Sequence, residues 1–181
     1  KEDDSKPDKL PCYYDNAVSE FKAARWGSSK YWKTIDAAVK DWERWKDLTL
    51  DVMGAGFVFA EGGGYFGVDL DNCRDKDTGA LSDFAKRVLT ELNSYSEVSP
   101  TETGLHIICK GVMYDISFLD IQAAGSIEWY NSGRFFTMTG QVIENYEYLE
   151  LLDRSGAMQK LQASFPEKDK PGTSKKPSRK T

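Results

Sequence analysis

The apolar positions of this chain change period several times along its length. Residues 34–47 place Ile35, Ala38, Val39, Trp42 and Trp45 at helical spacing behind Thr34, a good N-cap, and predict a helix. Residues 56–60 form a short apolar run of strand type, 61–64 a glycine-rich turn, and 65–71 a second strand, so this stretch predicts a β-hairpin. Residues 81–92 return to helical spacing, with Leu81, Phe84, Ala85, Val88, Leu89 and Leu92 on one side. Strands follow at 94–98, 105–110, 127–130 and 134–139. A loop spans 99–104, and Asn131-Ser-Gly133 joins the last two strands as a second hairpin. The segments 144–152 and 154–163 read as helices. Hairpins mixed with helices imply an α+β domain built on a largely antiparallel sheet.

Composition sharpens this picture. The 181 residues, 40% hydrophobic and 13% aromatic, suit one domain with a packed core. Residues 1–10 are polar and read as disordered, 11–165 carry the domain, and 166–181 form a Lys/Pro/Ser/Thr-rich basic linker or tail. The first residue is Lys rather than Met, as in a fragment or a processed chain. No apolar run approaches the roughly 20 residues that span a bilayer, and no signal-peptide stretch opens the chain, so a cytoplasmic protein is expected. Cys12, Cys73 and Cys109 are scattered, without a CxxC pair, which argues against a disulfide framework or a zinc knuckle.

Net charge is −5, but it is uneven: residues 168–181 hold six basic residues against one acid, leaving about −10 on the remainder. Any nucleic-acid contact is then a local patch rather than a basic face. Lys22, Arg25, Lys30 and Lys33, interleaved with Trp26, Tyr31 and Trp32, form the candidate patch for a single-stranded template. An ordinary surface whose aromatics belong to the core is the plainer reading of the same residues.

Four groups of residues could carry chemistry. In Val68-Asp69-Leu70-Asp71 the two acids lie at i and i+2 of a strand and project from one face. Adjacent carboxylates repel unless a cation lies between them, and Mg²⁺ or Mn²⁺ suits such a hard oxygen pair. A strand end entering a polar turn would look similar. His106, the only histidine, follows a loop with Ser99, Thr101, Thr103 and Gly104, whose hydroxyls and backbone N–H groups suit a phosphate. A lone histidine before Ile107 and Ile108 is equally at home as a satisfied core residue. Glu128 sits between apolar neighbours on a strand and needs a Lys, an Arg or a metal as partner. Arg134 opens a Gly-Arg-Phe-Phe-Thr block and can pair with phosphate or with a nearby acid.

The order of three blocks adds what the single residues lack. GAGFVFAEGGGYFGVDLDNC, SYSEVSPTETGLHIICKG and SIEWYNSGRFFTMTG together resemble the primase–polymerase domains of phage and plasmid replication proteins, in the archaeo-eukaryotic primase superfamily. The resemblance covers about residues 54–140. It implies a primase-like catalytic domain in which helices flank an RRM-like, largely antiparallel sheet. It also implies template-directed nucleotidyl transfer, as DNA primase, DNA polymerase or both, in phage, plasmid or mobile-element replication. Asp69, Asp71 and Glu128 would hold two Mg²⁺ or Mn²⁺ ions. His106, with Ser99, Thr103, Gly104 and Arg134, would bind the incoming NTP or dNTP. The partners implied are a single-stranded DNA template and a downstream helicase or helical priming domain. One departure stands out. The loop before His106 reads Pro-Thr-Glu-Thr-Gly where relatives commonly have Pro-Ser-Gly-x-Gly, so Glu102 replaces a glycine near the expected triphosphate. A non-catalytic nucleic-acid-binding relative, or another DxD transferase, remains the alternative.

Overall fold

The computed structural model describes residues 11–15, 17–18, 20–25, 27–45, 54–113, 117–120, 125–143 and 151–165. The terminal segments read above as disordered and as a basic tail lie outside them, as do residues 144–150 of the helix expected at 144–152. Leu151 and Leu152 are not helical, and Asp153 instead makes a parallel bridge with Lys110.

Nine strands and three helices are described: β1 (Cys12–Asp15), β2 (Glu20–Ala23), α1 (Ile35–Trp45), β3 (Gly56–Phe59), β4 (Tyr65–Asp71), α2 (Asp83–Leu92), β5 (Tyr95–Val98), β6 (Leu105–Lys110), β7 (Ser117–Asp120), β8 (Ser126–Tyr130), β9 (Arg134–Thr137) and α3 (Ser155–Ala163). The domain is α+β. Its centre is a five-stranded antiparallel sheet in the order β5-β6-β4-β8-β7.

Both expected hairpins are corrected. The strand at 56–59 does not ladder with 65–71, nor 134–137 with 126–130; β3 and β9 pair with each other, as a separate two-stranded sheet. The turns reverse the chain as expected. Pairing is decided by burial: side by side, β3 and β9 bring Phe59 and Phe136 into one apolar cluster with Ile108 and Tyr130. The hairpin β1–β2 and the edge strand β7 were not expected from the sequence.

Helix α2 follows its sequence pattern closely, whereas in α1 Ile35, expected on the apolar side, is exposed. In α2, Ala85, Val88, Leu89 and Leu92 are buried at i, i+3, i+4 and i+7. Ser82 caps it, its hydroxyl accepting from the Ala85 N–H at 3.2 Å, with Asp83 in the first turn. In α1, Thr34 Oγ1 accepts from the Ala37 N–H at 3.3 Å. At the other end of α2, the Asn93 carbonyl accepts two bonds from the Arg154 guanidinium, at 2.9 and 3.2 Å, which ties α2 to the start of α3. Met158 and Leu161 of α3 join α2 against one face of the sheet, where Phe66, Val68, Leu70, Leu105, Ile107, Cys109, Ile127 and Trp129 form the main core.

Candidate active site

Strand alternation decides what the opposite face carries. With Val68 and Leu70 in the core, Gly67, Asp69 and Asp71 point the other way. The register then aligns chemistry across strands. Asp69 pairs with His106 on one side and with Glu128 on the other, and His106 pairs with Glu97. Directly paired residues share a face, so Glu97, His106, Asp69 and Glu128 form a row across β5, β6, β4 and β8. Three strand spacings make that row about 14 Å long.

The row is graded from dry to wet. Glu97 is 0% exposed and the His106 side chain 5%, while the Asp69 side chain is 23% exposed. Asp71 and Glu128 are half-buried. The Asp69 carboxyl is pushed up to about 6, chiefly by burial. His106 works against that rise, Asp71 and Glu128 add to it, and a 3.3 Å hydrogen bond from the Tyr130 hydroxyl lowers it again. Tyr130 is itself raised, by burial first and then by Asp69 and Glu128. Among the described residues this is a patch of negative charge with few positive partners, and hard oxygen donors in that condition suit a divalent cation. Among the described residues no three His, Cys, Asp or Glu side chains already close around one point.

His106 is held on two sides. Its ring stacks on Phe136 of β9, with centroids 4.2 Å apart and planes 4° from parallel. Its Nδ1 lies 3.5 Å from Glu97 Oε1, and its Nε2 4.0 Å from Asp69 Oδ1. Gly67 makes the stack possible. A Cβ there would fall 2.4 Å from Phe59 Cζ and 2.7 Å from Phe136 Cε2, so only glycine lets β3 and β9 lie against β4.

The loop before His106 folds back on the end of β4. The Thr103 carbonyl accepts from the Cys73 and Arg74 N–H groups, both at 3.0 Å, and Arg74 Nη1 donates to the Glu102 carbonyl at 2.7 Å. Ser99 and Thr103 hydroxyls both meet Thr101 Oγ1, at 2.9 and 3.2 Å. A Cβ on Gly104 would lie 2.4 Å from the Leu70 carbonyl oxygen, which accounts for glycine there. Glu102 has φ +64°, so the backbone keeps a glycine-like shape although the residue is not glycine. Its carboxylate meets Lys76 Nζ at 2.8 Å and is held below the usual range by that bond.

The remaining candidates lie apart from the row. Arg134, exposed on β9, sits over the Tyr130 ring at 5.6 Å. Lys22 of β2 pairs with Asp15 at 2.8 Å, and Lys33 pairs with Asp41. Arg25 is exposed just after β2, and Lys30 lies over the Tyr31 ring at 5.5 Å. Sequence reasoning missed Glu97 and Tyr130. Strand parity alone would have placed Tyr130 on the face of Glu128, two residues away.

No protein-family model matches the chain. Among curated proteins, it is 32% identical over 104 residues, or 56% of its length, to the DNA primase-polymerase of Nitratiruptor phage NrS-1. The chain spans 14% of that relative's length. The match bears out the resemblance to primase–polymerase domains carried by the three sequence blocks. Among the described residues, no helix is long and apolar enough to cross a membrane.

Proposed function

We propose that this relative of a phage DNA primase-polymerase is the domain that joins nucleotides on a DNA template, as a primase, a polymerase or both. The observation that carries the reading is the register: two of the three motif carboxylates and the motif histidine meet as neighbours on three paired strands. The sheet supports the RRM-like expectation. Strands β4, β5, β6 and β8, taken in chain order, lie in the spatial order second, third, first, fourth, all antiparallel, with α2 between the first two. That strand order agrees with an RRM-like sheet, although among the described residues the strand β7, rather than a second helix, lies between the third and fourth of these strands.

Asp69, Asp71 and Glu128 are the ligands for two Mg²⁺ or Mn²⁺ ions. Once bound, these would acidify the attacking 3′-hydroxyl and offset charge on the triphosphate. His106 directs Nε2 toward the Asp69 side of the row, where, as the imidazolium, it donates to a phosphate oxygen and orients the nucleotide. Ser99, Thr103 and Gly104 shape the loop that leads into it, and Arg134 supplies positive charge at the rim beside Tyr130. Lys22, Arg25, Lys30 and Lys33 are the template cations; Lys22 and Lys33 also hold ion pairs with Asp15 and Asp41. Replication of a phage or plasmid, with a helicase or helical priming domain elsewhere in a longer protein, is the setting we assign.

The test is synthesis on a single-stranded template with labelled nucleotides and Mn²⁺ or Mg²⁺, with and without an annealed primer. Wild type should give product, and Asp69→Ala/Asp71→Ala should lose at least about 1000-fold while keeping its circular dichroism. Near-normal synthesis by that variant would overturn the assignment. A second reading, a non-catalytic nucleic-acid-binding relative, is favoured by the lack of a tight three-ligand cluster among the described residues. Calorimetric uptake of Mn²⁺ by wild type but not by the double variant would count against it.

A further inference from the structure

The innermost member of the row belongs to none of the three motif positions. Glu97 is a carboxylate with 0% exposure in the middle of β5, and a charge so placed must be matched by donors. Three donors are in place. The Tyr95 hydroxyl and the Gly140 N–H reach Oε2 at 2.7 and 2.9 Å, and the Thr139 N–H reaches Oε1 at 3.0 Å. Burial acts to raise this carboxyl, and these donors together with His106 outweigh it and leave it below the usual range. Oε1 keeps room for one more donor, and the atom facing it is His106 Nδ1, 3.5 Å away, buried and without a hydrogen-bond partner of its own. A bare nitrogen lone pair so close to a fully buried carboxylate would be repelled, so Nδ1 carries the hydrogen; Nε2, farther from the partly exposed Asp69 at 4.0 Å, is the nitrogen that takes up a second hydrogen when a phosphate oxygen approaches.

The stack on Phe136 fixes the plane of the ring but not which edge faces which way. A half-turn about Cβ–Cγ would keep the stack and turn Nδ1 away from Glu97. Glu97 removes that choice, because only one orientation presents an N–H to it. The same carboxylate grips the backbone of Thr139 and Gly140, just beyond the strand that carries Phe136. One side chain therefore sets both the edge of the imidazole and the segment that holds its stacking partner.

We infer that Glu97 is the positioning residue of His106, holding the ring with Nδ1–H inward and Nε2 toward Asp69 for contact with the nucleotide. The functional half of this inference rests on the proposed nucleotidyl transfer; the Glu97–His106 contact does not. Because His106 is the only histidine, ¹⁵N-histidine labelling of the untagged chain gives one pair of ring-nitrogen signals. With the ring neutral, wild type should be protonated on Nδ1, against the Nε2–H preference of free histidine. Glu97→Gln should shift the ring toward the Nε2–H form and raise the nucleotide KM about 10-fold, with Mn²⁺ uptake unchanged. Tyr95→Phe takes a donor from the same carboxylate but spares the imidazole, so it should leave the ring signals as in wild type.

A wild-type ring protonated on Nε2 with bare Nδ1 would overturn the inference, whether or not any variant folds. Identical ring signals in wild type and Glu97→Gln would also overturn it, as would equal effects of Glu97→Gln and Tyr95→Phe on the ring. If the wild type makes no polymer, the proposed function fails while the ring signals still decide the Glu97 assignment.

Discussion

The two faces of the central sheet are written by the same strands and answer to different physics. On β4, Phe66, Val68 and Leu70 are fully buried under α2 and α3, while Gly67, Asp69 and Asp71 face the candidate site. On β6, Leu105, Ile107 and Cys109 join the core, while His106 turns toward Asp69 and Glu97. The core face lowers the free energy of the fold. The other face gathers acids around Asp69, whose carboxyl is pushed up by burial and by Asp71 and Glu128, the expected condition of a site built for a cation.

Neighbours on one strand should therefore respond in opposite directions. Leu70→Ala leaves a cavity in the main core and should destabilise the fold by about 3 kcal/mol, with the lower urea midpoint as the readout. Asp69→Asn should stabilise the metal-free domain. The Asp69 carboxyl is raised from 3.8 to about 6 in the fold, so its ionised form is disfavoured there. That penalty is complete above about pH 6, fades as pH falls, and is gone below the unfolded value near 3.8, where both states are protonated. The gain at neutral pH should be on the order of 2 to 3 kcal/mol. Thermal melts with a chelator across this window would show it, and Mn²⁺ should raise the wild-type midpoint but not that of Asp69→Asn. If Asp69→Asn is destabilised at neutral pH, the two faces are not opposed in this way.

Gly67→Ala blurs the boundary between the faces. The added methyl meets Phe59 and Phe136, both buried in a packed aromatic cluster, and should cost about 2 kcal/mol. It should also disturb the stack under His106, raising the nucleotide KM more than it lowers kcat. Unchanged kinetics in a destabilised variant would show that Phe136 does not set the ring.

The contrast between faces was largely legible in the sequence, because parity within a strand is local. The i, i+2 pair Asp69 and Asp71, and the helical spacing of Ala85, Val88, Leu89 and Leu92 behind Ser82, need no knowledge of the rest of the chain. Which strands pair was not legible. The turns at 61–64 and 131–133 mark reversals, but the partners of β3 and β9 are fixed by distant aromatics meeting over Gly67. Glu97 was hidden for the same reason. Between Ser96 and Val98 it reads as a solvent-facing strand residue, and only the pairing of β5 with β6 brings it to His106.

Glu102 offers the smallest test, at the edge of the charged face. Its backbone at φ +64° is strained for any residue with a Cβ, and glycine would relieve that strain. Against this stands the ion pair with Lys76, whose side chains are 45% and 61% exposed, so solvent screens most of its worth. Glu102→Gly should therefore raise Tm slightly. The lowered Glu102 carboxyl makes the ion pair's contribution present above the ordinary glutamate value and lost as pH falls through the folded one. The advantage of Glu102→Gly should accordingly grow in acid. Glu102→Gln keeps the strain and removes the charge, so it should be slightly less stable than wild type at neutral pH. Both variants free Lys76 and remove a negative charge from the loop that leads to His106, and both should lower the nucleotide KM a few-fold. A KM lowered by glycine but not by glutamine would assign the effect to the backbone rather than to the charge.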